Sequence, residues 1–207
     1  MKKKHIIFDM DGTLSDTAQA TEVAICKVSK QLDLPEITHE HIRGAMGLPN
    51  SDFFAYLYPD VAKALLPDIE HAVNAIENDM IKEIGNALLF PGVYDMLDDL
   101  SKKGYCLYIA STGSQKHVTT TLAACEIEAF FTGVSCGEPE KISMVKHIIA
   151  GRNIDEWMMI GDMYKDSEAA RGNNILAIGA GFGYLAKEDH QLFDAVLWEP
   201  MDIYDYL

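Results

Sequence analysis

Short, unbroken apolar runs punctuate the chain, and between them apolar residues recur at helical spacing. Ile6-Ile7-Phe8 is apolar at every position, the pattern of a strand buried on both faces. Similar runs recur at 106–110, 130–135, 157–160, 175–178 and Ala195–Leu197. Helical periodicity occupies the stretches between them, at Val93–Lys102, Gln115–Ala124, 141–150, 165–172 and 187–193. Strands alternating with helices at this spacing predict an α/β fold, a parallel sheet core with helices on both faces.

The alternation stops from about residue 16 to residue 86. Only amphipathic helical pieces occur there. The first is 17–32, with Val23, Ile25, Val28 and Leu32 on its apolar side; 50–58 and 61–84 follow, punctuated by Pro35, Pro49, Pro59 and Pro67. An insert of roughly 70 residues is far longer than an ordinary connection and predicts a small all-helical subdomain. Phe90-Pro91-Gly92 is a turn signal marking the return. The expected division is residues 1–15 and 87–207 as an α/β catalytic core, with residues 16–86 as a helical insert after the first strand.

Composition narrows the function. The chain has 207 residues, 48% hydrophobic and 24% charged, enough for a sizeable core. Its net charge of −15 argues against nucleic acid or an anionic membrane as partner. An anionic small molecule stays admissible, because a metal ion or a few cations can reverse the potential inside one cleft. Cys26, Cys106, Cys125 and Cys136 lack C-x-x-C spacing and predict reduced, mostly buried thiols. The lysines at 2–4 precede an apolar run that Asp9 and Asp11 interrupt, so no signal segment is expected. The longest uncharged stretch, 172–186, is too short and glycine-rich to span a bilayer. The expectation is a soluble cytoplasmic protein, monomeric or homodimeric.

The chemistry concentrates where the apolar runs end. Phe8-Asp9-Met10-Asp11-Gly12-Thr13-Leu14-Ser15-Asp16 sets two carboxylates, two residues apart, at the end of the first strand. Gly12 permits a tight turn and close backbone approach to a ligand. Ligands bind at the carboxyl ends of strands in open α/β sheets, and an Asp pair leaving a buried strand is costly to ionise without a cation. Oxygen ligands beside a phosphate are the usual context for magnesium. The second strand ends in Ser111-Thr112-Gly113-Ser114, hydroxyls and turn amides suited to phosphate oxygens. Lys141 opens a helix after Gly137-Glu138-Pro139-Glu140, with Lys146 as its competitor. The fourth strand ends in Gly161-Asp162-Met163-Tyr164-Lys165-Asp166, a second Asp pair after a glycine. Each feature alone has a bland reading as a solvated turn or a helix cap; their order along the chain does not.

This ordered set resembles the haloacid dehalogenase superfamily of phosphohydrolases, in its phosphoglycolate phosphatase-like branch. Asp9-x-Asp11-Gly12-Thr13-Leu14-x-Asp16 matches the first motif of that family, Ser111 the second, Lys141 the third and Gly161-Asp162-x-x-x-Asp166 the fourth. Phe90-Pro91-Gly92-Val93 is similar to the family's return from cap to core, and Gly181-Phe182-Gly183 to its late glycine loop. Ile142 follows Lys141 where the family often has proline, and Tyr164-Lys165 has no assigned role. The resemblance implies a Rossmann-like core with a mobile helical cap, Mg2+ as cofactor and a small phosphorylated metabolite as substrate. It further implies Asp9 as nucleophile, Asp11 as general acid and base, and Gly12, Ser111, Thr112 and Lys141 around the phosphate. The metal would be held by Asp9, the carbonyl of Asp11 and Asp162, with Asp166 either binding it directly or supporting those ligands from behind. Arg43-Gly44-Ala45-Met46-Gly47-Leu48-Pro49 resembles the substrate-specificity loop, making Arg43, Gly44 and Gly47 candidates there.

Charge arithmetic is compatible with those roles. The four aspartates and a phosphate dianion carry six negative charges against three positive from Mg2+ and Lys141, so one carboxyl, with Asp11 the candidate, is expected to hold a proton. Asp11 also separates the chain from the superfamily's dehalogenases, whose halide leaves without a proton. A phosphosugar mutase is the close rival, disfavoured because Ala18-Gln19-Ala20-Thr21 follows Asp16-Thr17 without the histidine common in that branch. A non-enzymatic phospho-accepting receiver module has neither an acceptor on the first strand nor a helical insert. The histidines are expected to be structural or solvated. Trp157 and Trp198 are expected to anchor packing beside the sheet.

Overall fold

The computed structural model describes residues 3–45, 48 and 50–207. Six strands, β1 (His5–Phe8), β2 (Cys106–Ser111), β3 (Phe131–Cys136), β4 (Trp157–Gly161), β5 (Leu176–Ala180) and β6 (Ala195–Leu197), form one sheet in the order β3-β2-β1-β4-β5-β6. Every pairing is parallel. The chain is an α/β protein with the doubly wound, Rossmann-like order, in which the crevice lies where the strand order reverses, beside β1. Phe8 is in register with Ile109 of β2 and Ile160 of β4, so the residues after these three strands emerge at one level.

Strand alternation divides the core. Ile6 and Phe8, with Ile109, Met158 and Ile160, face α5 (Val93–Lys102) and α6 (Gln115–Ala124). Ile7, Tyr108 and Met159 face α7 (Lys141–Ile149) and α8 (Tyr164–Gly172). Helix-covered faces on both sides explain why the central strands β1 and β4 are continuously apolar.

Between β1 and α5 lie α1 (Ala18–Gln31), α2 (His39–Ala45), α3 (Asn50–Leu57) and α4 (Leu66–Ile84). They share a core of their own, including Ile25, Val28, Ile42, Phe54, Leu57, Ile69 and Val73. The chain leaves and re-enters the sheet layer side by side. Ser15 bridges Leu89, the Asp16 amide donates to the Leu88 carbonyl at 2.7 Å, and the Phe90 amide donates to the Leu14 carbonyl at 3.1 Å.

Several expectations need correction. Helix α1 stops at Gln31 and Leu32 is exposed, because Asp33 takes a positive φ of 54° and turns the chain away. Helix α4 begins at Leu66, not at 61, with Pro67 in its first turn where a missing amide costs nothing. The helix expected at 187–193 is a 3-10 helix, Lys187–Leu192. Only Cys125 of the four cysteines is buried; Cys26 is exposed, and Cys106 and Cys136 are intermediate. Trp157 is buried beside the sheet, but Trp198 follows a three-residue edge strand and is 62% exposed. No helix among the described residues is long and apolar enough to cross a membrane.

Candidate active site

The site assembles where β1, β2 and β4 end. The Asp9 amide donates to the Ile160 carbonyl at 2.9 Å, extending the ladder one residue past Phe8 and seating Asp9 between the neighbouring strand ends. Met10 is fully buried and pins the next step, which brings Asp11 back toward the same side. Gly12 then turns with φ +84°, and a Cβ there would fall on the Asp162 carboxylate, so no larger residue fits. Its amide donates to the Ser15 carbonyl at 2.8 Å. Gly12, expected to face phosphate, is therefore occupied within the turn and shapes the loop instead.

Four side chains interlock below that turn. Lys141, the first residue of α7, lies 2.9 Å from Asp9 Oδ1 and donates to Asp166 Oδ1 at 2.6 Å. Asp166, in the first turn of α8, also accepts from the Met163 amide at 2.9 Å. Asp162 Oδ1 accepts from Thr13 Oγ1 at 2.7 Å. All four side chains are buried. Lys146 is exposed, so Lys141 is the lysine that the fold turns into the site.

The electrostatics show a shortage of positive charge. Burial, reinforced by Asp166 and Asp11 and only partly offset by Lys141, pushes the Asp9 carboxyl up to about 7. Burial and the neighbouring Asp9 and Asp166 carboxylates hold Asp162 well above the usual carboxylate range. Burial alone would lower the Lys141 ammonium, but Asp166 and Asp9 outweigh it and keep it firmly protonated. Carboxylate oxygens of Asp9, Asp162 and Asp166 lie within 4.8 Å of one another. Three buried oxygen donors that share the Lys141 ammonium among the described residues suit a hard divalent cation, which would relieve both raised carboxyls at once.

Asp11 stands apart from this cluster. Its Oδ1 accepts from Thr17 Oγ1 at 2.9 Å, and both its oxygens lie 3.0 Å from His117 Nε2. Burial would raise its carboxyl, but the imidazole and the hydroxyl prevail and hold it below the usual range. The proton expected on Asp11 with phosphate bound is thus disfavoured there by His117 and Thr17. His117 itself, expected to be structural or solvated, lines the cleft.

A cleft of about 810 Å³ opens over these groups. Asp9, Asp11, Ser111, Thr112, Lys141 and Asp162 line its floor, while Leu48, Phe53, Phe54 and Val73 supply an apolar wall from the insert. Ser111 is buried at the end of β2 and its Oγ accepts from the Gly113 amide at 3.1 Å. Gly44 lines the cleft from α2, a helix whose seven residues are too few to show a period. Gly47 and the Arg43 side chain lie outside the described residues, so those two candidates have no described position in the site. Lys165, from the segment with no assigned role, lines the rim.

The family profile of haloacid dehalogenase-like hydrolases matches residues 6–180, which span every group described above. The chain belongs to the haloacid dehalogenase-like hydrolase family. A phosphoglycolate phosphatase of Agrobacterium fabrum is 25% identical over 190 residues, covering 86% of this chain and 80% of that protein. A pyrophosphatase of Oceanobacillus iheyensis is 27% identical over 184 residues, covering 84% and 82%. A haloacid dehalogenase-like hydrolase structure from Streptococcus pneumoniae superposes with a TM-score of 0.85 at 25% identity, over 99% of this chain and 98% of that one. Within this family the chain falls among phosphoglycolate phosphatase-like members, in agreement with the motif order.

Proposed function

We propose that the protein is a Mg2+-dependent phosphatase that hydrolyses a small phosphomonoester, of the phosphoglycolate, sugar phosphate or nucleotide type, through an aspartyl-phosphate on Asp9. One observation carries this reading. A carboxylate at the strand end, Asp9, is backed by Lys141 and flanked by Asp162 and Asp166, with a second acid, Asp11, beside it and outside the cluster. The names of relatives, which include a phosphoglycolate phosphatase and a pyrophosphatase, support phosphoryl chemistry while differing in substrate.

Asp9, Asp162, Asp166 and the Asp11 carbonyl would hold Mg2+, which when bound supplies positive charge beside the nucleophile and the phosphate. Lys141 orients Asp9 through the 2.9 Å contact and neutralises charge on the transferring oxygens together with the hydroxyls of Ser111 and Thr112. An Asp9 oxygen attacks phosphorus, the ester P–O bond breaks, and the leaving alkoxide takes a proton from Asp11. The arriving phosphate dianion raises the Asp11 carboxyl by like-charge repulsion, which lets it carry that proton. Ionised Asp11 then takes a proton from water as the water oxygen attacks phosphorus and the bond to Asp9 breaks. Residues 16–86 act as a cap whose apolar wall excludes bulk water while the acyl-phosphate lasts.

The test is phosphate release from a panel of phosphomonoesters, with magnesium and with EDTA. Turnover with magnesium is expected to vanish with EDTA. Asp9→Asn is expected to lose about 10³-fold or more in kcat. Undiminished turnover by Asp9→Asn without deamidation, or no release from any ester by the unaltered protein, overturns the reading.

A further inference from the structure

A second set of polar contacts, through Asp11, His117, Glu77 and Thr21, lines the same cleft as the carboxylate cluster. His117, in the first turn of α6, stands at its centre with its backbone amide on the Ser114 cap at 3.2 Å. Its Nε2 lies 3.0 Å from both oxygens of Asp11. Its Nδ1 faces Oε2 of Glu77, on α4 of the insert, at 3.6 Å. The other Glu77 oxygen accepts a hydrogen bond from Thr21 Oγ1 of α1. His117 and Glu77 are largely shielded, with side chains 13% and 10% exposed. One imidazole therefore has one nitrogen committed to the core acid and the other turned to a carboxylate of the insert.

We propose that His117 is a positioning residue for Asp11, holding its carboxyl toward the leaving group and tying that orientation to the seating of the insert through Glu77. The inference rests on the phosphatase reading, in which Asp11 delivers the leaving-group proton. Asp11 Oδ1 alone has a hydroxyl partner in Thr17; Oδ2 meets only the imidazole among the contacts described. Without the ring, rotation about the Asp11 side chain is opposed by a single hydrogen bond. A carboxyl free to rotate spends less time in the geometry needed for proton transfer. If Glu77 shifts with the insert, the ring loses its second tether and Asp11 its alignment.

Leaving-group basicity separates this role from a merely structural one. An alkoxide cannot depart without a proton, whereas p-nitrophenolate needs little help. We would compare kcat on p-nitrophenyl phosphate with kcat on whichever of 2-phosphoglycolate, glucose 6-phosphate and AMP the unaltered protein turns over fastest. His117→Ala is expected to lose about tenfold more on the alkyl ester than on the aryl ester. His117→Gln, which keeps a donor near the Nε2 place, is expected to restore most of that loss; His117→Asn, whose donor sits near Nδ1, is not. Glu77→Gln should shift the alkyl-to-aryl ratio in the same direction by a smaller factor. In Asp11→Asn, adding His117→Ala should cost nothing further on the alkyl ester. Equal losses on both esters, or a further loss in the double variant, overturn the inference and leave the phosphatase reading standing. Should His117→Ala melt before assay, the Gln and Asn pair decides, and equal ratios for those two overturn it as well. No turnover of any ester by the unaltered protein overturns the phosphatase reading and this inference with it.

Discussion

At the scale of single residues, the site is a balance between burial and too little positive charge. Among the described residues, Lys141 is the ammonium set between Asp9 and Asp166, both buried with it. Lys141→Met leaves those carboxylates without an internal counter-charge, and breaking a buried pair in this way costs about 3–5 kcal/mol. Chemical denaturation of the metal-free protein is expected to show that loss, and added Mg2+ to recover part of it. Asp9 offers a test with a sign. Its carboxyl is raised from 3.8 to about 7, so the folded protein holds a proton there that the unfolded chain has already released. The stability linked to that proton is fully present below pH 3.8 and lost as pH rises through about 7. Asp9→Asn has no charge to bury and escapes the loss. Between pH 4 and pH 8 the metal-free variant should gain roughly 2–4 kcal/mol relative to the unaltered protein. Melting curves across that range check it; a difference independent of pH would show that Asp9 is ionised throughout.

At the scale of elements, loops as well as helix ends set the spacing of the site. The segment after β5 docks on the turn after β1. The Tyr184 amide donates to the Gly12 carbonyl at 3.0 Å, and a Cβ on Gly183 would meet that same carbonyl oxygen. A backbone atom cannot step aside as a flexible side chain can. Gly183→Ala should therefore cost about 1–3 kcal/mol and lower kcat by displacing the Asp11 turn. A variant with unaltered melting and turnover would show that this loop has room. The same contrast between local pattern and distant contact explains what could be read from sequence. Helices α5 and α6 follow from apolar spacing to the residue, because each buries its own face against a continuous sheet, and the short edge strand β6 follows from its apolar run. Helix α2 does not, since seven residues make barely two turns. Asp9, Asp11, Asp162 and Asp166 stood out because each pair is close in the chain and follows an apolar run. His117 did not. Its partner Asp11 is 106 residues away, and only the docking of α6 against α4 turns an ordinary histidine toward both Asp11 and Glu77.

At the scale of the whole molecule, the net charge of −15 opposes the substrate that the cleft is proposed to take. Inside the cleft, Lys141 and the dication that its floor would hold attract the phosphate oxygens by direct contact. Approach from a distance is a different matter, because the field far from the surface follows the summed charge. At about 0.01 M salt the Debye length is ~30 Å, comparable with the protein itself, and the dianion feels net repulsion; at 0.15 M it is ~8 Å, and only the neighbourhood of the cleft acts. Raising NaCl from the lower to the higher value, with free Mg2+ held constant, should therefore raise kcat/KM for a dianionic ester by about two- to threefold. A zwitterionic phosphomonoester such as phosphocholine, with less net charge to repel, should show a smaller rise. The effect belongs to capture, so kcat should stay level while KM falls. A kcat/KM that instead drops steeply with salt would mean that the cations of the cleft govern the field well beyond its mouth, and that the acidic surface is arranged to keep clear of the approach.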